Sequence, residues 1–160
     1  MNVLLLLKPK VTVSYIYSSY SIRQCLETMR INGFTAIPVI DEEGKYIGTI
    51  DTGDLLWYIL SLDSFSIKDS ERLNITTIIR KDYNPAIKID TPINTIVEKI
   101  MVQNFVPVVD DRNYFVGIIT RKDVINFLSK ELKKSINIPP CRTLTMILSQ
   151  IGALPTPIWG

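Results

Sequence analysis

The chain contains one short pattern of residues twice, and this duplication constrains the fold more than any other feature. Five residues recur 69 positions later in the chain: Pro38 as Pro107, Val39 as Val108, Asp41 as Asp110, Gly48 as Gly117 and Asp54 as Asp123. A period of this length is typical of tandem copies of a small domain, because solenoid repeats have periods of about 20–50 residues. Two such copies can bury a shared face and form ligand sites between them.

The first copy predicts a helix, two strands and a second helix, in that order. Ser21 is expected to cap an amphipathic helix, and Gly33 is expected to end it. Two strands joined by a polar turn and a second helix, capped by Asp51 or Thr52, follow at residues 35–40, 46–50 and 55–62.

The second copy predicts the same order of elements. Pro92 is expected in the first turn of its first helix, where a missing N–H group costs little. The remaining elements are two strands and a helix capped by Thr120, at residues 105–109, 114–119 and 122–132. The linker between the copies predicts a short helix at residues 67–73 and a strand leading into residues 87–89.

Composition argues against several functional classes. The net charge is only +2, and no long run of Lys or Arg occurs, so we expect no nucleic-acid partner. The chain has no histidine, no P-loop and no metal-ligand cluster. We therefore expect no enzymatic activity, no catalytic residue, no metal and no cofactor. Cys25 and Cys141 are too far apart in sequence to form a redox or metal-binding pair, and Cys25 fits a helix core.

Nothing in the sequence predicts export or membrane insertion. Residues 1–7 are largely apolar, but Lys8 interrupts them before a secretory segment would be complete. No stretch approaches the length of about 18 apolar residues that a membrane-spanning helix needs. We expect a cytoplasmic protein with no membrane partner.

The two motifs together resemble a known family. Each copy has a helix, a strand ending in Pro-Val-hydrophobic-Asp, a turn, a second strand beginning near Gly, and an Asp in the first turn of the following helix. This pattern is similar to the CBS domain, named for cystathionine β-synthase, and two in tandem resemble a Bateman module. The resemblance covers about residues 8–132 and is closest in kind to small stand-alone CBS proteins of Gram-positive bacteria.

The resemblance implies an α/β (α+β) fold in which two βαββα repeats pack sheet against sheet with pseudo-two-fold symmetry. We divide the chain into repeat 1 with an N-terminal strand, a linker, repeat 2 and a tail of unassigned structure, at residues 1–63, 64–86, 87–134 and 135–160. Within the tail, residues 144–151 are compatible with two helical turns. Six aliphatic residues are expected on the strands that meet in the middle: Ile47, Val116, Val39, Val108, Ile50 and Ile119.

The start of the last predicted helix has the chemistry of a ribose-phosphate site. Thr120 offers a hydroxyl beside unpaired backbone N–H groups at the positive end of the helix dipole. Arg121 and Lys122 add cations that suit a phosphate, and Asp123 can accept hydrogen bonds from two ribose hydroxyls. The alternative is an ordinary helix cap, with Thr120 as the capping residue and Asp123 in the first turn.

The family resemblance implies that CBS pairs bind adenosine nucleotides in clefts between the repeats. It adds Ile118 of the same repeat to the ligand-binding set of Thr120 to Asp123, together with residues from the other repeat: Phe34, Thr35, Ala36 and, more weakly, Ser19. The main-chain groups at residues 34–36 are suited to the adenine edge, and Phe34 is suited to stacking, although core packing is an equal alternative for that ring.

The equivalent site of the first copy departs from the family pattern. Its residues are Thr49, Asp51, Asp54, Gln103, Asn104 and Phe105. Asp51 stands where the second copy has Thr120, so it would put a carboxylate beside a phosphate, a repulsion of about 1 kcal/mol or more. This second site is expected to be the weaker one and to prefer a nucleoside or remain empty. The alternative is that Asp51 is simply a strong helix cap.

Two functions compete after these exclusions. One is a nucleotide-sensing regulatory module that binds AMP, ADP, ATP or cyclic di-AMP and signals to an unknown regulated protein. The other is a structural dimerisation module whose clefts are vestigial. The apolar helices at residues 55–62 and 124–132 favour a homodimer in either case, with Trp57 and Phe127 at or near its interface or in the core.

Overall fold

The computed structural model describes residues 3–64, 66–80 and 82–136. The chain divides into two compact units, Met1–Ile125 and Asn126–Gly160. The first unit contains both copies of the repeated pattern up to the start of the last helix. The described part of the second unit is the remainder of that helix. The helical turns expected at residues 144–151 lie outside the described residues.

The first repeat follows the predicted order of elements. Its strands and helices are β2 (Ile16–Tyr17), α1 (Ile22–Asn32), β3 (Ala36–Ile40), β4 (Tyr46–Asp51) and α2 (Thr52–Leu60). Ser21 caps α1 in a capping box with Gln24, and Gly33 ends the helix in the left-handed conformation at φ 66°. Both predicted helix signals are therefore confirmed.

The second repeat has the same order of strands and helices, and it follows a short connecting helix. The linker forms α3 (Ile67–Arg72), and the repeat comprises β5 (Ile87–Lys88), α4 (Ile93–Val102), β6 (Phe105–Val109), β7 (Phe115–Thr120) and α5 (Arg121–Ile136). Pro92 is the N-cap residue rather than part of the first turn, with an extended ψ of 146°. Helix α5 extends past the predicted end at Leu132 to Ile136, and the two lysines that follow Leu132 favour helix.

The two sheets have the same internal pairing. In the first repeat β2 is parallel to β3 and β3 is antiparallel to β4. In the second repeat β5 is parallel to β6 and β6 is antiparallel to β7. The equivalence supports the predicted pair of βαββα repeats, and the α+β fold class is confirmed by a matching solved structure reported below.

The N-terminal strand β1 (Lys8–Pro9) belongs to the sheet of the second repeat. It pairs antiparallel with β7, with Lys8 opposite Ile118 and Pro9 opposite Gly117. The first repeat receives an equivalent crossing segment from the linker, where Arg80 forms an antiparallel bridge with Thr49. Each repeat therefore receives, on its last strand, the segment that leads into the other repeat.

The two repeated glycines allow these crossing segments to approach. A Cβ atom on Gly117 would lie 2.0 Å from the carbonyl oxygen of Lys8. A Cβ atom on Gly48 would lie 2.5 Å from Cγ2 of Ile79. Both distances are far inside van der Waals contact, but Gly117 faces backbone that cannot turn aside, whereas Gly48 faces a side-chain methyl group that can.

The core of the first repeat lies between its sheet and its helices. A buried cluster joins α1, the two long strands, α2 and the linker: Ile16, Ile22, Cys25, Met29, Ile37, Val39, Ile50, Leu55, Ile75 and Ile78. Burial raises the pKa of the Cys25 thiol to about 12, so this cysteine is an inert core residue. Each fully buried Ile or Leu contributes about 1.5–3 kcal/mol relative to an exposed one.

A smaller cluster joins the two repeats. Ile40 and Tyr46 of the first repeat pack with Val109 and Phe115 of the second, and the Tyr46 and Phe115 rings are stacked at 6.2 Å between centroids. The neighbouring turns also hydrogen-bond across the seam: Tyr46 N–H donates to the Asn113 carbonyl, and Phe115 N–H donates to the Gly44 carbonyl. The sheets of the two repeats therefore meet at these strands.

Two of the six aliphatic residues expected on the central strands lie there without joining the cluster between the repeats. Val39 and Ile50 lie on those strands, but their side chains belong to the first repeat's own core. Side chains alternate between the two faces of a strand, and the register shift between Val39 and Ile40 moves the following pair to the second face, toward the other repeat. Ile40 and Tyr46 occupy that second face instead.

Candidate functional site

The end of β7 and the start of α5 form the most polar part of the second repeat's motif. The Thr120 hydroxyl donates to Oδ2 of Asp123 at 2.5 Å and accepts from the Asp123 backbone N–H at 3.2 Å. Thr120 thus caps α5 as predicted, and its side chain is held against the Asp123 carboxylate.

The Asp123 carboxylate also has a cationic partner from the N-terminal strand. Nζ of Lys8 lies 3.2 Å from Oδ2 of Asp123, and 46% of the Lys8 side chain remains exposed. Burial by itself raises the pKa of Asp123, but the hydrogen bond from Thr120 and the Lys8 ammonium outweigh it. The net pKa of Asp123 lies below its ordinary value, so the group is ionised at neutral pH.

A cleft of about 340 Å³ opens beside this cluster. Five predicted ligand-binding residues line it: Thr120, Ile118, Phe34, Thr35 and Ala36. Two residues assigned to the weaker site, Asn104 and Phe105, line the same cleft. We call this cavity the open cleft. Phe34 is 42% exposed, which leaves a ring face accessible for stacking.

The open cleft also contains residues that the sequence reasoning missed. They belong to the N-terminal segment: Lys8, Thr12, Val13 and Ser14. The prediction placed this segment with the first repeat, whereas β1 crosses to the second repeat's sheet. A comparison of the residues that precede the two repeats would have drawn attention to Lys8, because Arg80 occupies the corresponding crossing segment.

Arg121 and Lys122 were predicted to bind a phosphate, but their side chains do not line the open cleft. Nε of Arg121 donates to the Ile100 carbonyl on α4 at 2.9 Å, and the Arg121 backbone N–H donates to the Asn104 carbonyl. Lys122 is exposed. Neither side chain is among the residues that line the open cleft, although both lie at the same helix start.

Ser19 lies in a different surface depression. Its hydroxyl donates to Oε1 of Glu42 at 2.5 Å. The depression is lined by Ser19 together with residues of α1 and α3, including Arg23 and Glu71. The structure therefore does not bring Ser19 together with Thr120 at the open cleft.

The equivalent site of the first repeat is occupied by an arginine. Asp51 caps α2, and Asp54 completes the capping box. The Arg80 guanidinium spans both carboxylates. Its Nη2 lies 2.9 Å from Oδ2 of Asp51, and its Nε lies 2.7 Å from Oδ1 of Asp54. It also lies over the Tyr83 ring, 3.8 Å from the centroid. One guanidinium from within the chain thereby bridges the two like charges and offsets part of their repulsion.

Little space remains at this second site. The cavity there measures about 40 Å³ and is lined by Thr49, Asn104, Phe105, Ala36, Tyr83, Asn84, Val102 and Gln103. We call it the closed cleft. Tyr46 hydrogen-bonds the buried Thr49 hydroxyl and donates to the Asn84 carbonyl, while Asn84 Nδ2 donates to the Phe105 carbonyl. The linker therefore fills the space that a ligand would need.

Comparison with known proteins identifies the family of this repeat pair. The CBS domain family matches the chain twice, over residues 8–61 and 76–130. Together the two matches cover more than half of its 160 residues. The chain belongs to the CBS domain family. The predicted tandem of CBS domains is therefore confirmed.

Known relatives of this CBS pair include both receptors and an enzyme. Cyclic di-AMP receptor B of Bacillus subtilis is 26% identical over 76% of this chain and 82% of that protein. The solved structure of CbpB in complex with c-di-AMP superimposes with a TM-score of 0.78 at 26% identity, over 86% of this chain and 90% of that one. These two relatives confirm the similarity to stand-alone CBS pairs and the fold class.

The third relative is a much longer protein. L-aspartate semialdehyde sulfurtransferase of Methanocaldococcus jannaschii is 28% identical over 75% of this chain, but only over 21% of the enzyme. A match to one fifth of an enzyme carries no inference about catalysis here. Among the described residues, no three His, Cys, Asp or Glu side chains are grouped so that they could hold a metal ion.

None of the described helices is both long enough and apolar enough to span a lipid bilayer.

Proposed function

We propose that this CBS pair is a regulatory module that senses an adenosine nucleotide in the open cleft. The observation that carries the proposal is the asymmetry in space: the open cleft measures about 340 Å³, while the equivalent cleft measures about 40 Å³. A cavity of this size between repeats, lined by apolar side chains and a few polar groups, has the character of a small-molecule site.

The residues around the open cleft suit the parts of an adenosine nucleotide. Phe34 presents an exposed ring face to the adenine, and backbone groups near Thr35 and Ala36 can pair with its edge. Asp123 is ionised and accepts hydrogen bonds from ribose hydroxyls. Thr120 and the N–H groups at the start of α5 suit a phosphate.

Arg121 and Lys122 add positive charge beside the phosphate subsite, although neither side chain lines the open cleft. Nε of Arg121 donates to the Ile100 carbonyl. The two terminal nitrogens of its guanidinium can bind an incoming anion as a fork. Lys122 follows on the exposed side of the same turn. The names of the relatives support cyclic di-AMP as one candidate ligand, alongside AMP, ADP and ATP.

A second candidate function, structural dimerisation with vestigial clefts, is favoured by the closed cleft alone. Arg80 bridges the Asp51 and Asp54 carboxylates, and linker residues line the small cavity that remains. If the open cleft were also without a ligand, the module would serve only to associate with another chain.

A thermal-shift panel separates these two functions. A ligand that binds only the folded protein stabilises it by about 2.7 kcal/mol at one hundred times its dissociation constant. We expect a rise in Tm of several degrees with at least one of AMP, ADP, ATP and cyclic di-AMP, and none with GMP or cyclic di-GMP as matched guanine controls. An unchanged Tm across the adenine panel would favour the dimerisation function.

We further propose a homodimer and a regulated protein partner. On α2, Leu56, Trp57 and Leu60 are 52%, 70% and 64% exposed, which is more apolar surface than a solvent-facing helix usually presents. On the part of α5 in the second unit, Leu132 is 62% exposed. Light scattering at tens of micromolar should give twice the chain mass, and a monomer would contradict the dimer. The regulated partner and the cytoplasmic location stay predictions.

A further inference from the structure

Lys8 and Arg80 occupy equivalent positions in the two repeats. Lys8 lies opposite Ile118 on β7, and Arg80 bridges Thr49 on β4. Thr49 and Ile118 are themselves 69 positions apart, the offset of the repeated pattern. Each cation therefore arrives on the segment that leads into one repeat and reaches the motif aspartate of the other.

The two cations hold their aspartates very differently. Arg80 contacts two carboxylates, at 2.9 and 2.7 Å, and stacks on Tyr83. Lys8 makes a single contact with Asp123 at 3.2 Å. A planar guanidinium bound at three points is fixed in place, whereas an ammonium on a flexible stem can change partner at little cost.

Lys8 also lines the open cleft beside Thr120, whereas Arg80 is not among the residues that line the closed cleft. We infer that Lys8 is an exchangeable cation that sets the preference of the open cleft for phosphorylated ligands. In the empty cleft its ammonium pairs with Asp123. When a nucleotide binds, the ammonium moves to the phosphate, and Asp123 becomes available to the ribose hydroxyls. This inference rests on the proposed function.

The exchange has a consequence that a fixed cation would not have. A nucleoside without phosphate must break the Lys8–Asp123 pair to reach the carboxylate and offers the ammonium nothing in return. A nucleotide breaks the same pair but supplies a new anion. Lys8 therefore weakens nucleoside binding and strengthens nucleotide binding, so its removal should change the two affinities in opposite directions.

The experiment is calorimetric titration of the full chain with AMP and with adenosine, for the native protein and for Lys8→Met. We expect the affinity for AMP to fall about tenfold, since a charge-assisted contact is lost. The affinity for adenosine should stay the same or rise. Lys10→Met is the matched control, because Lys10 lies on the same segment but over the Tyr15 ring, 5.0 Å from its centroid. It should change neither affinity.

Lys8→Arg should keep the preference for AMP, since it keeps the charge. If Lys8→Met does not fold, Lys8→Gln compared with Lys8→Arg supplies the same contrast. Equal losses for AMP and adenosine would mean that Lys8 only holds β1 on its sheet, and unchanged affinities would mean that it plays no part; either result overturns the inference. If the native protein binds neither AMP, ATP nor cyclic di-AMP, the proposed function fails and the inference fails with it.

Discussion

The two clefts of the repeat pair are made by equivalent strands and helix starts, yet one is open and the other is filled. In the open cleft, Thr120 and Lys8 share the Asp123 carboxylate and leave about 340 Å³ beside them. In the first repeat, Arg80 holds Asp51 and Asp54 together, and the nearby closed cleft measures only about 40 Å³.

A single substitution between the copies accounts for the difference in charge pairing at the two motif aspartates. Thr120 and Asp51 are equivalent, and the second carboxylate at Asp51 creates a paired negative charge that needs a cation. An arginine satisfies both carboxylates at once, whereas a lone Asp123 is satisfied by a hydroxyl and an ammonium. The same fold thus supplies one site with room for a ligand and one that is closed by its own side chains.

The largest expected effect is the loss of ligand affinity on removing the motif aspartates. Asp123→Ala should lower the affinity for an adenosine nucleotide about ten- to a hundredfold, because hydrogen bonds to a charged acceptor contribute about 1.5–3 kcal/mol. Asp54→Ala should change it much less, since Arg80 already occupies that carboxylate. Calorimetric titration of both variants measures the difference. Equal losses would break the distinction between the clefts.

The glycines that admit the crossing segments should differ in their tolerance of a side chain. Gly117→Ala should lower the free energy of unfolding by about 1–3 kcal/mol, since the new Cβ meets a backbone oxygen of β1 that cannot rotate away. Gly48→Ala meets a methyl group of Ile79, which can move, so its cost should be smaller. Urea unfolding of the two variants tests this order. A greater loss for Gly48→Ala would reverse it.

Removing the arginine of the closed cleft should destabilise the protein without affecting the open cleft. Arg80→Met leaves Asp51 and Asp54 without their shared cation, which should lower the free energy of unfolding by about 1–2 kcal/mol, a value reduced because Arg80 is half exposed. Arg23→Met, which breaks exposed pairs with Glu27 and Glu71, is the matched control and should cost less. Equal stability of Arg80→Met and the native protein in urea would show that Arg80 is dispensable.

The smallest expected effect is on acid stability. The pKa of Asp123 is depressed in the folded protein, so its contribution is present above its unfolded pKa of about 3.9 and is lost as the pH falls through the folded value. Asp123→Asn should therefore be less stable than the native protein at pH 6, by up to about 1 kcal/mol, with the gap closing below about pH 4. Urea midpoints measured from pH 6 to pH 2.5 give the gap directly. A gap that widens on acidification would contradict the assignment.

Local signals in the sequence predicted the repeat elements closely. Ser21, Gly33 and Thr120 are cap residues whose effect depends on neighbouring backbone groups, so their roles could be read without a tertiary structure. The residues 34–36 and Thr120 were also brought together in one cleft, as the family resemblance implied. The assignments of ligand roles to these residues stay predictions.

The contributions of the crossing segments could not be predicted in the same way. Lys8 is 115 positions from Asp123, and Arg80 lies in a linker that had no assigned role. Their contacts depend on which sheet each short strand joins, and a two-residue strand carries too few side chains to specify a partner. The sequence pattern therefore could not predict that β1 joins the sheet of the second repeat.

The sequence by itself determined that the chain is a tandem of CBS domains, because the duplication, the caps and the strand patterns are local and recur at one offset. It also determined that the two motif sites differ in charge, since Asp51 replaces Thr120. Only the tertiary structure decided which cleft has space and which is closed. That outcome depends on where the N-terminal segment and the linker lie after crossing between sheets, and the contacts of residues distant in sequence are set by packing rather than by local preference.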